Sequence, residues 1–190
     1  MLVTKRILSI VGLSLACFTF PAHSGGDPEA GKAKAVACAD CHGADGNSKN
    51  PAWPSLAGQM PAYISTQLRA FRAKTRKSPM MSGLAKGLSD EDIDDLAAYF
   101  AALPAKSVAS DADQAAIGKT KYASCVGCHG VKGEGLGAQP RLAGQQPAYI
   151  VRQLKNFKSG ARATAVMKAK ANALSEADML AIAAYLAALE

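Results

Sequence analysis

Residues 38–43 read CADCHG, and residues 125–130 read CVGCHG. Two thiols set two residues apart and followed at once by an imidazole support three chemistries. The four cysteines 38, 41, 125 and 128 could close two disulfides, or paired thiolates could hold zinc. Alternatively, each C-x-x-C-H is a c-type haem attachment site, with both thiolates joined to the porphyrin vinyl groups and the adjacent His on the iron. The spacing favours the third: two intervening residues let both sulfurs reach one edge of a porphyrin, and the next residue then lies under the ring. Two copies in one chain make the pattern far more specific than one. On this reading Cys38, Cys41, Cys125 and Cys128 attach haem covalently, while His42 and His129 are iron ligands.

The N-terminus bears on the choice. MLVTKRILSIVGLSLACFTFPAHS places Lys5 and Arg6 before an uncharged apolar run from Ile7 to Phe20, followed by small residues at Ala22 and Ser24. This is the layout of a secretory signal over residues 1–24. The run falls short of the roughly 20 residues a spanning helix needs. Cys17 lies inside it and reads as filler. Cleavage after Ser24 would leave four cysteines and two histidines, because His23 departs with the signal.

The surroundings of the two motifs repeat as well. GKAKAVACADCHG matches GKTKYASCVGCHG at an offset of 87, and PSLAGQMPAYISTQL matches PRLAGQQPAYIVRQL at 86. One residue is therefore missing from the second copy between His129 and Pro140. The expected organisation is a duplicated unit: residues 25–104, a linker over 105–113, and residues 114–190. PAKSVASDAD, with its proline and small polar residues, suits a linker.

Each copy reads as all-α. Asp27-Pro28 gives an N-cap and a proline at the first helical position. Pro61 and Pro147 open middle helices with apolar Ile64, Leu68 and Phe71, or Ile150, Leu154 and Phe157. Ser89 and Ser175, each with an acid three places on, start the last helices. Their apolar faces carry Ile93, Leu96, Phe100 and Leu103, or Met179, Ile182, Leu186 and Leu189. Units of this size bury little surface alone, and an apolar covalent haem would complete each core.

One histidine per haem leaves the other side of the iron open. Aligned without a gap from Phe71 and Phe157, the copies bring Met81 opposite Met167, whereas Met80, Met60 and Met179 fall opposite Val166, Gln146 and Ile93. A lone methionine is usually core filler. Coincidence in both copies favours Met81 and Met167 as axial ligands, and His/Met ligation raises the potential. Pro54 and Pro140, 12 and 11 residues after the two histidines, are candidate carbonyl acceptors for the second ring N–H; shaping a loop is an equal reading.

Two units each with C-x-x-C-H, P-x-L-A-G-Q, a late Met and a final A-Y helix resemble the class I cytochrome c domains of the di-haem cytochrome c4 family. The resemblance covers the chain beyond the signal. It implies two tandem domains, each wrapped around one covalent haem c, with His42 and Met81 on one iron and His129 and Met167 on the other. It further implies that Pro54 and Pro140 accept from the His ligands. The expected location is the periplasm. The partners implied are redox proteins, namely a membrane-bound donor complex and a terminal oxidase, and peripheral membrane association is compatible with this.

A one-electron carrier fits these residues better than a di-haem peroxidase, which needs an open iron or a spare His. A di-haem subunit of a larger enzyme, such as a flavoprotein sulfide dehydrogenase, is the alternative. The formal charge is +7; loss of the signal and four haem propionates would leave little excess, which argues against nucleic acid as a partner. The excess is uneven. Residues 25–104 carry nine basic and nine acidic side chains, and residues 105–190 carry eleven and six. Within the first unit RAFRAKTRK (69–77) and DEDIDD (90–95) read as solvated runs or as a field that steers partners.

Overall fold

The computed structural model describes residues 25–190; the expected signal over residues 1–24 lies outside them. The described chain is helical and folds as two copies of one arrangement. The first copy holds α1 (Pro28–Lys34), a 3-10 turn (Ala35–Cys38), α2 (Ala39–His42), α3 (Pro61–Arg72), α4 (Pro79–Ala85) and α5 (Asp90–Ala102). The second holds α6 (Ala112–Tyr122), α7 (Val126–His129), α8 (Pro147–Ser159), α9 (Ala165–Asn172) and α10 (Glu176–Ala188). Strands are absent among the described residues, where an isolated bridge joins Leu136 and Gln139.

Capping explains most of these boundaries. Asp27 Oδ1 accepts from Glu29 N at 2.9 Å ahead of Pro28. Ser89 with Asp92, and Ser175 with Asp178, form complete capping boxes on α5 and α10. The segments holding Met81 and Met167 fold as the short helices α4 and α9, which the apolar pattern did not reveal. Ser78 caps α4. α6 starts at Ala112 with Asp111 as its cap, inside the stretch expected to be linker.

The first and last helices of each copy cross at a glycine. A Cβ at Gly31 would lie 2.1 Å from the Asp95 carbonyl oxygen, and one at Gly118 1.9 Å from that of Ala181. Only a residue without a side chain lets the backbones approach so closely. Behind each crossing lies a core, formed by Ala35, Ile64, Leu96, Ala97 and Phe100 in one copy and by Tyr122, Ile150, Ile182, Ala183 and Leu186 in the other.

The two charged runs of the first copy meet in part, and Lys34, outside both, takes up two of the acids. Lys34 bridges Asp92 at 2.8 Å and Asp95 at 2.6 Å, Arg69 pairs with Asp94 at 2.9 Å, and Arg72 with Asp90 at 2.6 Å. The field expected from DEDIDD is reduced by these pairs, while Lys74, Arg76 and Lys77 of RAFRAKTRK take part in none of them.

The copies dock through contacts that repeat at the 86-residue offset. Arg76 stacks on Phe71 of its own copy, 4.6 Å from the ring centroid, and reaches Tyr149 Oη at 3.0 Å and Gln153 at 3.1 Å in the other. Arg162 stacks on Phe157 at the same distance and reaches Tyr63 Oη at 2.8 Å and Gln67 at 3.0 Å. Gln59 and Gln145 form a second matched pair across the interface. This is the self-complementary contact of a two-fold dimer, held within one chain.

Candidate haem sites

Each C-x-x-C-H motif winds into a single helical turn. Cys38 and Cys125 sit at the N-caps of α2 and α7, and His42 and His129 are their last residues. Gly43 and Gly130 end the turns at φ of 85° and 83°. All four thiols are free. Among the described residues no group of three or more His, Cys, Asp and Glu side chains gathers as a metal cage.

The histidines are buried. His42 Nδ1 lies 2.8 Å from the Pro54 carbonyl oxygen, and His129 Nδ1 lies 3.0 Å from that of Pro140. Such a contact fixes the tautomer: Nδ1 carries the proton and donates, which leaves the Nε2 lone pair for a metal. Burial holds both imidazoles below their ordinary pKa, against the hydrogen bond, which acts the other way. Each ring is thus kept neutral, the form that ligates. The one-residue deletion does not disturb this anchor. Leu142 and Ala143 donate to the Gly133 carbonyl as Leu56 and Ala57 do to Gly46, and Gly144 is tied to Leu186 as Gly58 is to Phe100.

The methionines separate by environment. Met179 is 2% exposed in the second core, and Met60 packs towards Gly135 of the other copy. Met80 points outward, 48% exposed, and its counterpart Val166 is 61% exposed. Met81 and Met167 are half-buried, at matching places on α4 and α9.

Two differences between the sites escaped the sequence reading. Tyr122, whose counterpart is Ala35, is fully buried and donates its hydroxyl to the Gly130 carbonyl at 2.8 Å, beside His129. Arg141, whose counterpart is Ser55, follows Pro140 and has a buried Nε with no hydrogen-bond partner. A cationic donor left so calls for an anionic acceptor, and the carboxylates of a haem fit that requirement. Free thiols, neutral imidazoles with free Nε2 and an unmatched guanidinium all suit haem c.

Comparison with known proteins agrees with the geometry. The family model described as cytochrome c matches twice, over residues 28–104 and 115–190. Cytochrome c4 of Azotobacter vinelandii is 38% identical over 192 residues, covering 88% of this chain and 91% of that one. The thiosulfate dehydrogenase electron acceptor of Stutzerimonas stutzeri strain A1501 is 38% identical, covering 80% of this chain and 79% of its own. The solved structure of reduced recombinant cytochrome c4 from Pseudomonas stutzeri superposes with a TM-score of 0.83 at 35% identity, over 87% of this chain and all of that one.

Fold and site together define a tandem c-type cytochrome with two covalent haem c groups, an electron-transfer protein and not an enzyme. The chain belongs to the cytochrome c family, in its di-haem cytochrome c4 branch.

Proposed function

We propose that this chain is an exported periplasmic carrier that takes single electrons from a membrane-bound donor complex and delivers them to a terminal oxidase. Cys38 and Cys41 would bind one haem and Cys125 and Cys128 the other, with His42 and Met81, and His129 and Met167, as axial ligands. Pro54 and Pro140 would hold the two histidines. When bound, haem supplies a one-electron ferric/ferrous couple. The residues around it supply constancy: a buried neutral His tied to a fixed carbonyl cannot turn or take up a proton as the charge on the iron changes.

The observation that carries this reading is the duplicated His–Pro anchor, at 2.8 and 3.0 Å, in two domains that dock face to face. A second reading has specific support. The similarity to a thiosulfate dehydrogenase electron acceptor favours a carrier dedicated to a sulfur-oxidising dehydrogenase.

The test is direct. Protein matured in a host competent for c-type cytochromes should keep its haem stain after denaturation, and its mass should exceed that of the chain by two haems. Reduced protein should be oxidised rapidly by membranes holding a terminal oxidase. Oxidation only through a thiosulfate-linked dehydrogenase system would select the second reading; a bare chain or one haem would sink both.

A further inference from the structure

The amide that joins Pro54 to Ser55 is engaged at both ends. Its carbonyl accepts from His42 Nδ1 at 2.8 Å, while its N–H donates to Gln145 Oε1, in the other domain, at 2.8 Å. The amide joining Pro140 to Arg141 is held in the same way. Its carbonyl accepts from His129 Nδ1 at 3.0 Å, and its N–H donates to Gln59 Oε1, again across the interface, at 2.7 Å. Each glutamine returns its own Nε2–H to the next carbonyl, Ser55 O at 2.9 Å or Arg141 O at 3.0 Å. Both glutamines are buried, 6% exposed, so water does not compete for these bonds.

Resting on the assignment of His42 and His129 as iron ligands, we propose that Gln145 and Gln59 are crossed positioning residues, each setting the strength of the axial histidine in the opposite domain. An amide whose N–H is hydrogen-bonded is more polarised, and its carbonyl is a stronger acceptor, because hydrogen bonds in a chain reinforce one another. A stronger acceptor on Nδ1–H makes the ligating imidazole more basic. A more basic imidazole favours the ferric ion and lowers the potential. Docking therefore does more than hold the domains together: it completes the histidine anchor of each site with a side chain from the other. The matched pair 86 residues apart makes the effect reciprocal.

The experiment uses the full two-haem protein carrying Gln145→Leu or Gln59→Leu. Each haem's midpoint is assigned in Met81→His and Met167→His backgrounds, and the ring Nδ1–H resonances of the axial histidines are followed in the ferrous state. The unsubstituted protein must first show two low-spin haems; failure there removes the ligand assignment itself, independently of the crossing. Gln145→Leu should raise the potential of the His42 haem and move the His42 ring proton upfield, with the His129 haem unchanged. Gln59→Leu should do the reverse. Shifts confined to the substituted domain, equal shifts at both haems, or none would overturn the proposal. Small-angle scattering checks that the domains remain docked. If leucine at either position undocks them, Gln145→Asn and Gln59→Asn, each shorter by one carbon, carry the same directional test.

Discussion

Arg162 Nη2 lies 2.8 Å from the hydroxyl oxygen of Tyr63 in the other domain. Arg76 returns the contact to Tyr149 at 3.0 Å, and each guanidinium is stacked on a phenylalanine of its own domain. A planar cation held from below by a ring has little rotamer freedom left to lose when it bonds across the interface. Hydrogen bonds to charged groups contribute about 1.5–3 kcal/mol each. Replacing both arginines by alanine should separate the domains: the radius of gyration should rise, and one thermal transition should become two. A single compact transition in the double variant would show that the remaining contacts across the interface suffice.

Within each domain the sequence was legible because local rules decide local structure. Asp27-Pro28, Pro61, Pro147 and the two Ser/Asp capping boxes start helices where they were expected, since each signal acts within four residues. The repeat register also singled out Met81 and Met167. The interface was not legible. Gln59, Gln145, Arg76 and Arg162 are polar, and periodicity reports what avoids water and is silent on polar groups that find each other across 73 to 99 positions. A signal did exist: identical Gln, Arg and Tyr at the same offset in both copies, where a solvated surface would tolerate change. Of the basic run 69–77, Arg69 and Arg72 find acidic partners on another helix, which position along the chain does not announce.

Met81 and Met80 are adjacent, and their exposure separates them. The half-buried Met81 should be the ligand, and the 48% exposed Met80 should not. Met81→Ala, and likewise Met167→Ala, should each remove half of the weak ferric sulfur-to-iron band at the red end of the spectrum. Met80→Ala should leave it whole. Loss of the band from Met80→Ala would move the ligand by one residue.

Gly118 tests the helix crossing. Its Cβ would meet the Ala181 carbonyl oxygen at 1.9 Å and the Tyr185 Cβ at 2.8 Å. Both are fixed by helix α10, so the strain cannot be relieved by turning a side chain. Gly118→Ala should cost about 3 kcal/mol, at the upper end for overpacking, measured by denaturant unfolding of the full chain. Gly83→Ala, at a helical position where nothing lies within 4 Å, is the control and should leave stability unchanged or slightly raised.

Acid should weaken both domains through their last helices. Asp178 is held well below the ordinary carboxylate range by the Lys121 ammonium at 2.7 Å, and by the hydroxyl and N–H of Ser175. A depressed carboxylate contributes stability above its unfolded pKa, about 4, and loses it as pH falls towards the folded value. Asp178→Asn should therefore lower the thermal midpoint at pH 7. The gap between variant and parent should close on acidification below about pH 4. A gap constant with pH would assign the loss to helix capping alone.

The two haems should differ in potential, the His129 haem being the higher. Residues 25–104 balance nine basic against nine acidic side chains, many paired at under 3 Å, whereas residues 105–190 hold eleven against six. Positive surroundings disfavour the more positive ferric state. A unit charge at about 10 Å, with an effective dielectric of about 40, contributes about 0.8 kcal/mol, or tens of millivolts. Arg141 adds a half-buried cation at the place where the first domain has Ser55. The two sources separate by salt, since exposed charges are screened at high ionic strength and buried ones much less. Titration at low and high salt should show two one-electron steps whose gap narrows with salt but does not close. Arg141→Ser should lower the upper step at both ionic strengths, because the half-buried charge it removes is screened less than the exposed ones. Met167→His should pull down the upper step and Met81→His the lower. If the upper step instead responds to Met81→His, the field of the second domain is outweighed by local differences such as the Tyr122 hydroxyl on the Gly130 carbonyl, and charge does not order the potentials.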